Sequence, residues 1–113
     1  RPESVINEYL DKDWLPFLQT PPFPEYTSGH SVASAACATV LTKLMGANFA
    51  YVDSTEVEFG LPVRKFTSFE HAADEASISR LYGGIHYRPS IETGNTQGKK
   101  VGENVKNILK TRK

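Results

Sequence analysis

The sequence predicts an all-α fold: a partial helical bundle of about three main helices, joined through a proline-rich connector, with an irregular middle. Three observations predict it. Val32, Ala36, Val40 and Leu44 recur at helical spacing. Thr67-Ser-Phe-Glu70 carries the signature in which a hydroxyl and a carboxylate satisfy the free donors of a first helical turn. Gly94, Gly98 and Gly102 recur every four residues in a run that also holds Val101, Val105, Ile108 and Leu109.

Residues 3–13 are mixed in character and suit one short helix. The stretch from Trp14 to Pro24 holds Pro16, Pro21, Pro22 and Pro24, four of the chain's seven prolines. Proline removes a backbone donor and fixes φ, so this stretch reads as an extended connector. Its Trp14, Leu15, Phe17, Leu18 and Phe23 place it against a core. The first main helix runs from about Ser31 to Leu44, with Ala33, Cys37 and Leu41 beside the periodic residues on one face. Many of these side chains are small, which admits a close neighbour, and Gly46 is a natural stop. Residues 47–66 lack a helical period, and Phe49, Tyr51, Val57 and Phe59 suit short extended pieces. The second helix follows the capping signature, shows Phe69, Ala72, Ala73 and Ala76 on one face, and ends at Gly83-Gly84. The third begins near Pro89 or Ser90, since proline is accepted in a first turn. Each of its glycines costs helix stability, so the stripe predicts close backbone packing. Val101, Val105, Ile108 and Leu109 supply its apolar face, and Lys110, Arg112 and Lys113 a solvated C-terminal end.

The length of 113 residues suits one domain. Apolar residues at 39% and charged ones at 23% fit a folded chain rather than a disordered one. Thirteen Lys and Arg balance thirteen Asp and Glu, which argues against broad nucleic-acid binding but not against a small local anion site. Cys37, the single cysteine, has no partner for an internal disulfide and is expected to be a small buried residue. No stretch has the length of a membrane span, and no signal peptide is visible. The sequence opens on Arg1-Pro2 without Met and reads as a fragment or processed piece, residues 1–113 forming the C-terminal part of a single helical domain.

Thr27-Ser28-Gly29-His30 stands where the connector meets the first main helix. A helix N-terminus offers unpaired N–H groups and the positive end of the dipole to an anion. Ser28 adds a hydroxyl, Gly29 admits a ligand to the backbone, and His30 exchanges a proton near neutral pH. The plain alternative, and locally the better one, is a Ser N-cap followed by a surface His. Arg80 has only Ser77, Ala76, Gly83 and Gly84 at helical contact spacing, so it has no local acidic partner. It either pairs with a distant carboxylate or presents its planar fork to an oxyanion. His86, among Ile85, Tyr87 and Arg88, taken alone reads as a structural residue. If the first two main helices pack antiparallel, however, Arg80, His86, Ser28, Gly29 and His30 converge into a site fit for phosphoryl chemistry, with nucleophile, acid/base and charge stabiliser. His71, mid-helix beside Ala72 and Ala73, is expected to be peripheral.

These residues resemble a known family. Pro24-Glu-Tyr-Thr-Ser-Gly-His30-Ser31 is similar to the Pro-Ser-Gly-His segment of the vanadium haloperoxidase and type 2 phosphatidic acid phosphatase superfamily. Ser79-Arg80-Leu-Tyr-Gly-Gly-Ile-His86 resembles its segment of Ser-Arg, five residues and His. Arg1-Pro2 looks like the end of its first signature, whose Lys would lie upstream. The wider wording, Thr20-Pro-Pro-Phe-Pro-Glu-Tyr26 and Tyr82-Gly-Gly-Ile-His-Tyr-Arg88, is similar to the soluble haloperoxidase-like branch. The resemblance implies that Arg1 and Arg80 bind oxyanion oxygens, that Ser28 and the Gly29 backbone donate to them, and that His30 is the acid/base. It implies that His86 ligates vanadate in a peroxidase or attacks phosphorus in a phosphatase, because bound vanadate resembles a phosphoryl-transfer transition state.

The sequence departs from the family pattern at three points. Thr27 replaces a proline, and the upstream Lys is absent. Ser90 stands where the family carries an Asp, four residues after the His, that would orient the imidazole. Glu92 is the expected substitute. The leading expectation is a vanadate-dependent haloperoxidase domain. Its rivals are a phosphomonoesterase working through a phosphohistidine with no cofactor, and a catalytically weak oxyanion-binding or scaffold domain. The expected partners are a small oxyanion or phosphate ester, not nucleic acid. The family's bundle has more helices than this chain, which implies that a second copy or the upstream part of the same protein covers its exposed core. The resemblance leans towards an extracytoplasmic, periplasmic setting in a bacterium.

Overall fold

A proline in the first turn of a helix lacks a donor that would have been unpaired there anyway. The computed structural model, which describes residues 1–108, opens with such a helix, α1 (Pro2–Tyr9). The connector that follows has no regular structure up to Ser28. Extended backbone turns alternate side chains to opposite sides, and this divides the connector. Trp14, Pro16 and Leu18 turn inward and rest on Gly83 and Gly84. Leu15, Phe17 and Phe23, expected against the core, point outward, Phe17 at 90% exposure.

Helix α2 (Gly29–Met45) is capped by Ser28, whose hydroxyl accepts from the Ser31 N–H, and it stops at Gly46 with φ +104°. A three-residue antiparallel hairpin then pairs β1 (Tyr51–Asp53) with β2 (Arg64–Phe66), Tyr51 opposite Phe66. Of the four residues expected to be extended, only Tyr51 lies in a strand, and Val57–Phe59 form a 3-10 turn instead. The hairpin is anchored on α3 (Phe69–Tyr82) by packed aromatic rings. Phe49 and Tyr51 each lie 5.3 Å from Phe69, and Arg64 pairs with Glu75.

The N-cap of α3 is Ser68, one residue beyond the expected Thr67. Its hydroxyl accepts from the His71 N–H at 3.0 Å, and His71 Nδ1 accepts in turn from the Thr67 N–H at 3.3 Å. The imidazole thus takes the reciprocal role expected of Glu70. Gly83 and Gly84, the latter at φ +74°, end the helix. Helix α4 (Arg88–Ile108) begins one residue before the expected start.

The glycine stripe of α4 packs on α2 as its spacing predicts. A Cβ on Gly94 would lie 2.9 Å from the Ser28 carbonyl oxygen, and one on Gly102 would lie 2.7 Å from that of Ala36. One on Gly98 would run into the Val32 carbonyl. This seam decides which face of α2 is buried. Ser31, Ala35 and Thr39 face α4 and Ala38 is buried beside α3, while Leu41, Leu44 and Cys37 of the expected apolar face are exposed. Only side chains this small let two backbones meet, so the larger apolar residues are turned outward. For the same reason Val101 and Ile108 of α4 are exposed, and only Val105 is half-buried. Leu109, Lys110, Arg112 and Lys113 lie outside the described residues. The fold is helical, as the periodicity predicts, with the small hairpin added. Among the described residues no helix is long and apolar enough to cross a membrane.

Candidate active site

His86 lies on the short turn that leaves α3. The Ile85 and His86 N–H groups both donate to the Arg80 carbonyl, at 3.2 and 3.3 Å. Ile85 is buried beside it, and the His86 side chain is itself only 1% exposed. Both ring nitrogens are engaged. Nε2 meets Arg1 Nη1 at 2.9 Å, and Nδ1 meets Glu25 Oε1 at 3.0 Å. Glu25 Oε1 also accepts from the Tyr87 N–H at 3.0 Å. The Ser90 hydroxyl donates to the Glu25 carbonyl at 3.0 Å and stands 3.4 Å from His86 Nδ1.

Burial, and then the positive charge of Arg1, hold the His86 pKa below its ordinary value, although hydrogen bonding and charge from Glu25 oppose them. For Glu25, burial pushes the carboxyl up. Hydrogen bonds from Tyr87, Ser90 and His86 outweigh that and leave it below the usual carboxylate range. Near neutral pH the pair is therefore a neutral imidazole and an ionised carboxylate.

Arg1 is fixed by carbonyls from two segments. It donates to Phe23 O at 2.9 Å, to Pro24 O at 3.3 Å and to Ile85 O at 2.8 Å. Its guanidinium lies 5.0 Å over the Phe23 ring, a cation–π contact that gives the exposed Phe23 a use.

Ser28 is fully buried. Its Oγ accepts from the Ser31 N–H at 3.4 Å and from the Ser31 hydroxyl at 2.9 Å, so the capping role expected of it is real. Its own hydroxyl proton is left to donate elsewhere. The Ser28 N–H donates to Ser90 O at 3.2 Å, which ties the start of α2 to the first turn of α4. The first N–H groups of α2, from Gly29 onward, have no partner within a helix. The Gly29 α-carbon faces open space. His30 follows on the solvent side. Partial burial, then the charges of Arg80 and His86, lower its pKa. Arg80 Nε donates to Ser79 Oγ at 3.0 Å, and among the described residues no carboxylate pairs with Arg80.

Arg1 and Glu25 grip His86, and His30 lies within electrostatic reach of Arg80 and His86. His71 is remote in role, spent on capping α3. The expected substitute Glu92 is exposed, and only its carbonyl is used, by Thr96. The carboxylate on the imidazole is Glu25, because the connector folds back over α4 and reaches Nδ1 from the other side. One signal pointed to it: Glu25 is the only acidic residue between Asp13 and Asp53.

Guanidiniums, a helix N-terminus and imidazoles are groups whose chemistry suits an oxyanion. The one carboxylate beside them is turned to the far side of His86. Among the described residues no three His, Cys, Asp or Glu side chains gather to hold a bare cation. The residues present therefore fit a metal oxyanion such as vanadate, held by arginines, backbone donors and one imidazole.

A family model described as the VCPO second helical-bundle domain matches residues 2–112. A crystal structure described as the first bacterial vanadium-dependent iodoperoxidase is 61% identical, with a TM-score of 0.92. The match covers 96% of this chain and 27% of that one. A holo-type bacterial vanadium-dependent chloroperoxidase is 19% identical at a TM-score of 0.67, covering 82% of this chain and 22% of the other, and so shares the fold. The chain spans about a quarter of the length of either structure. No curated protein matches it.

Proposed function

This chain belongs to the VCPO second helical-bundle domain family, the vanadium haloperoxidase-like proteins, and from that premise we propose that it forms the oxyanion pocket of a vanadate-dependent peroxidase that oxidises iodide. The observation that carries the proposal is His86, buried with Nε2 turned to the Arg1 guanidinium and Nδ1 held by Glu25. Iodide as the halide is taken from the 61% identity to a structure described as an iodoperoxidase.

In this reading Arg1 and Arg80 neutralise the oxyanion and orient its oxygens. The Ser28 hydroxyl and the Gly29 N–H donate to them from the start of α2. His86 Nε2 is the protein ligand. When bound, vanadate supplies a Lewis-acid centre that makes peroxide open to attack by halide. Overall, iodide gives up two electrons to hydrogen peroxide, the O–O bond breaks, and with one added proton the products are hypoiodous acid and water. His30, solvent-facing with a lowered pKa, passes that proton and takes another from water.

Calorimetric titration of orthovanadate into the chain, with His86→Ala as control, tests the pocket. Binding in the wild type that His86→Ala abolishes is the expected result, and no binding by the wild type overturns the reading. Iodide oxidation with peroxide and vanadate is then run beside hydrolysis of a chromogenic phosphate ester. Hydrolysis without iodide oxidation replaces the peroxidase with a phosphomonoesterase on the same residues.

A further inference from the structure

The family that the sequence resembles orients its histidine with an Asp four residues downstream, and here that position is Ser90. We propose that Glu25, reaching in from the connector, is the positioning residue of His86, and that Ser90 is the clamp that holds Glu25 in place. The inference rests on reading His86 as the oxyanion's protein ligand.

Donor and acceptor capacity carry the argument. A guanidinium can only donate, so His86 Nε2, at 2.9 Å from Arg1 Nη1, presents its lone pair there. An ionised carboxylate can only accept, so Nδ1, at 3.0 Å from Glu25 Oε1, carries the proton. Both sides of the ring assign the same tautomer, Nδ1–H with the lone pair on Nε2, the nitrogen that would bond a metal or phosphorus. This is the tautomer a ligating histidine needs, with its second nitrogen donating to a carboxylate.

The geometry of Glu25 is itself built. Tyr87 N–H holds the same Oε1 at 3.0 Å, and Ser90 holds the Glu25 carbonyl at 3.0 Å. Ser90 is fully buried. An Asp at position 90 would bring a second carboxylate to this spot, so the serine and the glutamate belong together. The small hydroxyl leaves room for a carboxylate supplied from position 25 and fastens the backbone that delivers it.

The test combines NMR of the ¹⁵N-histidine-labelled chain with orthovanadate titration. The wild type is expected to show a His86 proton on Nδ1, slow to exchange and shifted downfield by the carboxylate. Glu25→Gln retains that proton with a smaller shift, because the amide oxygen still accepts. Glu25→Ala loses the protected proton and weakens orthovanadate binding by about ten- to a hundred-fold. Adding Ser90→Asp to Glu25→Ala restores both, which a merely structural role for Glu25 does not predict. The proposal is overturned if wild-type His86 carries its proton on Nε2, or if Glu25→Ala keeps both the protected proton and the affinity. If Glu25→Ala does not fold, the wild-type and Glu25→Gln spectra decide. Should the proton depend on Glu25 while the wild type binds no orthovanadate, the positioning role stands and the oxyanion reading falls.

Discussion

The α2–α4 seam and the connector are held together in opposite ways. The seam is glycine, alanine, serine and one threonine, backbone against backbone, with no ionisable side chain buried in it. The connector has no ladder of its own and is fixed by discrete polar contacts, those of Arg1 on Phe23 and Pro24 and those of Glu25 on His86, Tyr87 and Ser90. The seam sets where the start of α2 stands relative to the start of α4. The connector then lays charged groups across that frame. Rigidity and chemistry are thereby assigned to different stretches of the chain, so damage to each should look different.

The seam is broken by volume. Gly98→Val should destabilise the chain by about 3 kcal/mol or more, the upper range for overpacking, although valine is the better helix former. Denaturant unfolding checks this. Val101→Ala, on the exposed side of the same helix, should stay within about 0.5 kcal/mol. Equal losses at the two positions would remove the distinction between the faces.

The polar side of the molecule is instead weakened by protons, because burial and neighbouring positive charge oppose charging its two histidines. His30 and His86 titrate below their ordinary 6.5 in the folded chain. The unfolded chain therefore binds more protons between those lowered values and 6.5. Stability is complete above 6.5 and is lost as pH falls below it towards the folded values. Glu25, lowered from 4.5, adds a further loss as pH falls below 4.5 towards its lower folded value. The urea midpoint should thus be lower at pH 5.5 than at pH 7.5, and His86→Gln should flatten the difference. Val101→Ala should leave the slope unchanged, since it touches no titrating group. The smallest effect belongs to the outward side of the connector, where Phe17→Ser should change stability by less than about 0.5 kcal/mol in the same unfolding assay.

The same division explains what was legible in the sequence. The helices and their ends were readable because period, capping residues and glycines are local signals, and Gly46, Gly84 and the stripe in α4 act where they stand. Which face of α2 is buried was not readable from hydrophobicity. Hydrophobicity alone points to Val40, Leu41 and Leu44, while the glycines opposite required Ser31, Ala35 and Thr39. The segments around His30, Arg80 and His86 were legible as motifs. Glu25 was missed because its partners are 61 and 62 residues away, and no local period announces a contact of that span. Glu92 was nearer in sequence to the missing Asp, but helix α4 turns it to solvent.

The glycines of α4 also act as the teeth of a ratchet. Each sits against one carbonyl of α2, at Ser28, Val32 and Ala36, so the two helices mesh only at four-residue steps. At 1.5 Å per residue, one step is roughly 6 Å. A slip by less than a full tooth drives a Cβ into a carbonyl. A slip by a full tooth breaks the bond from the Ser28 N–H to Ser90 O and parts the start of α2 from the start of α4. The register of the two helices is therefore set in discrete steps, with no graded misalignment between them.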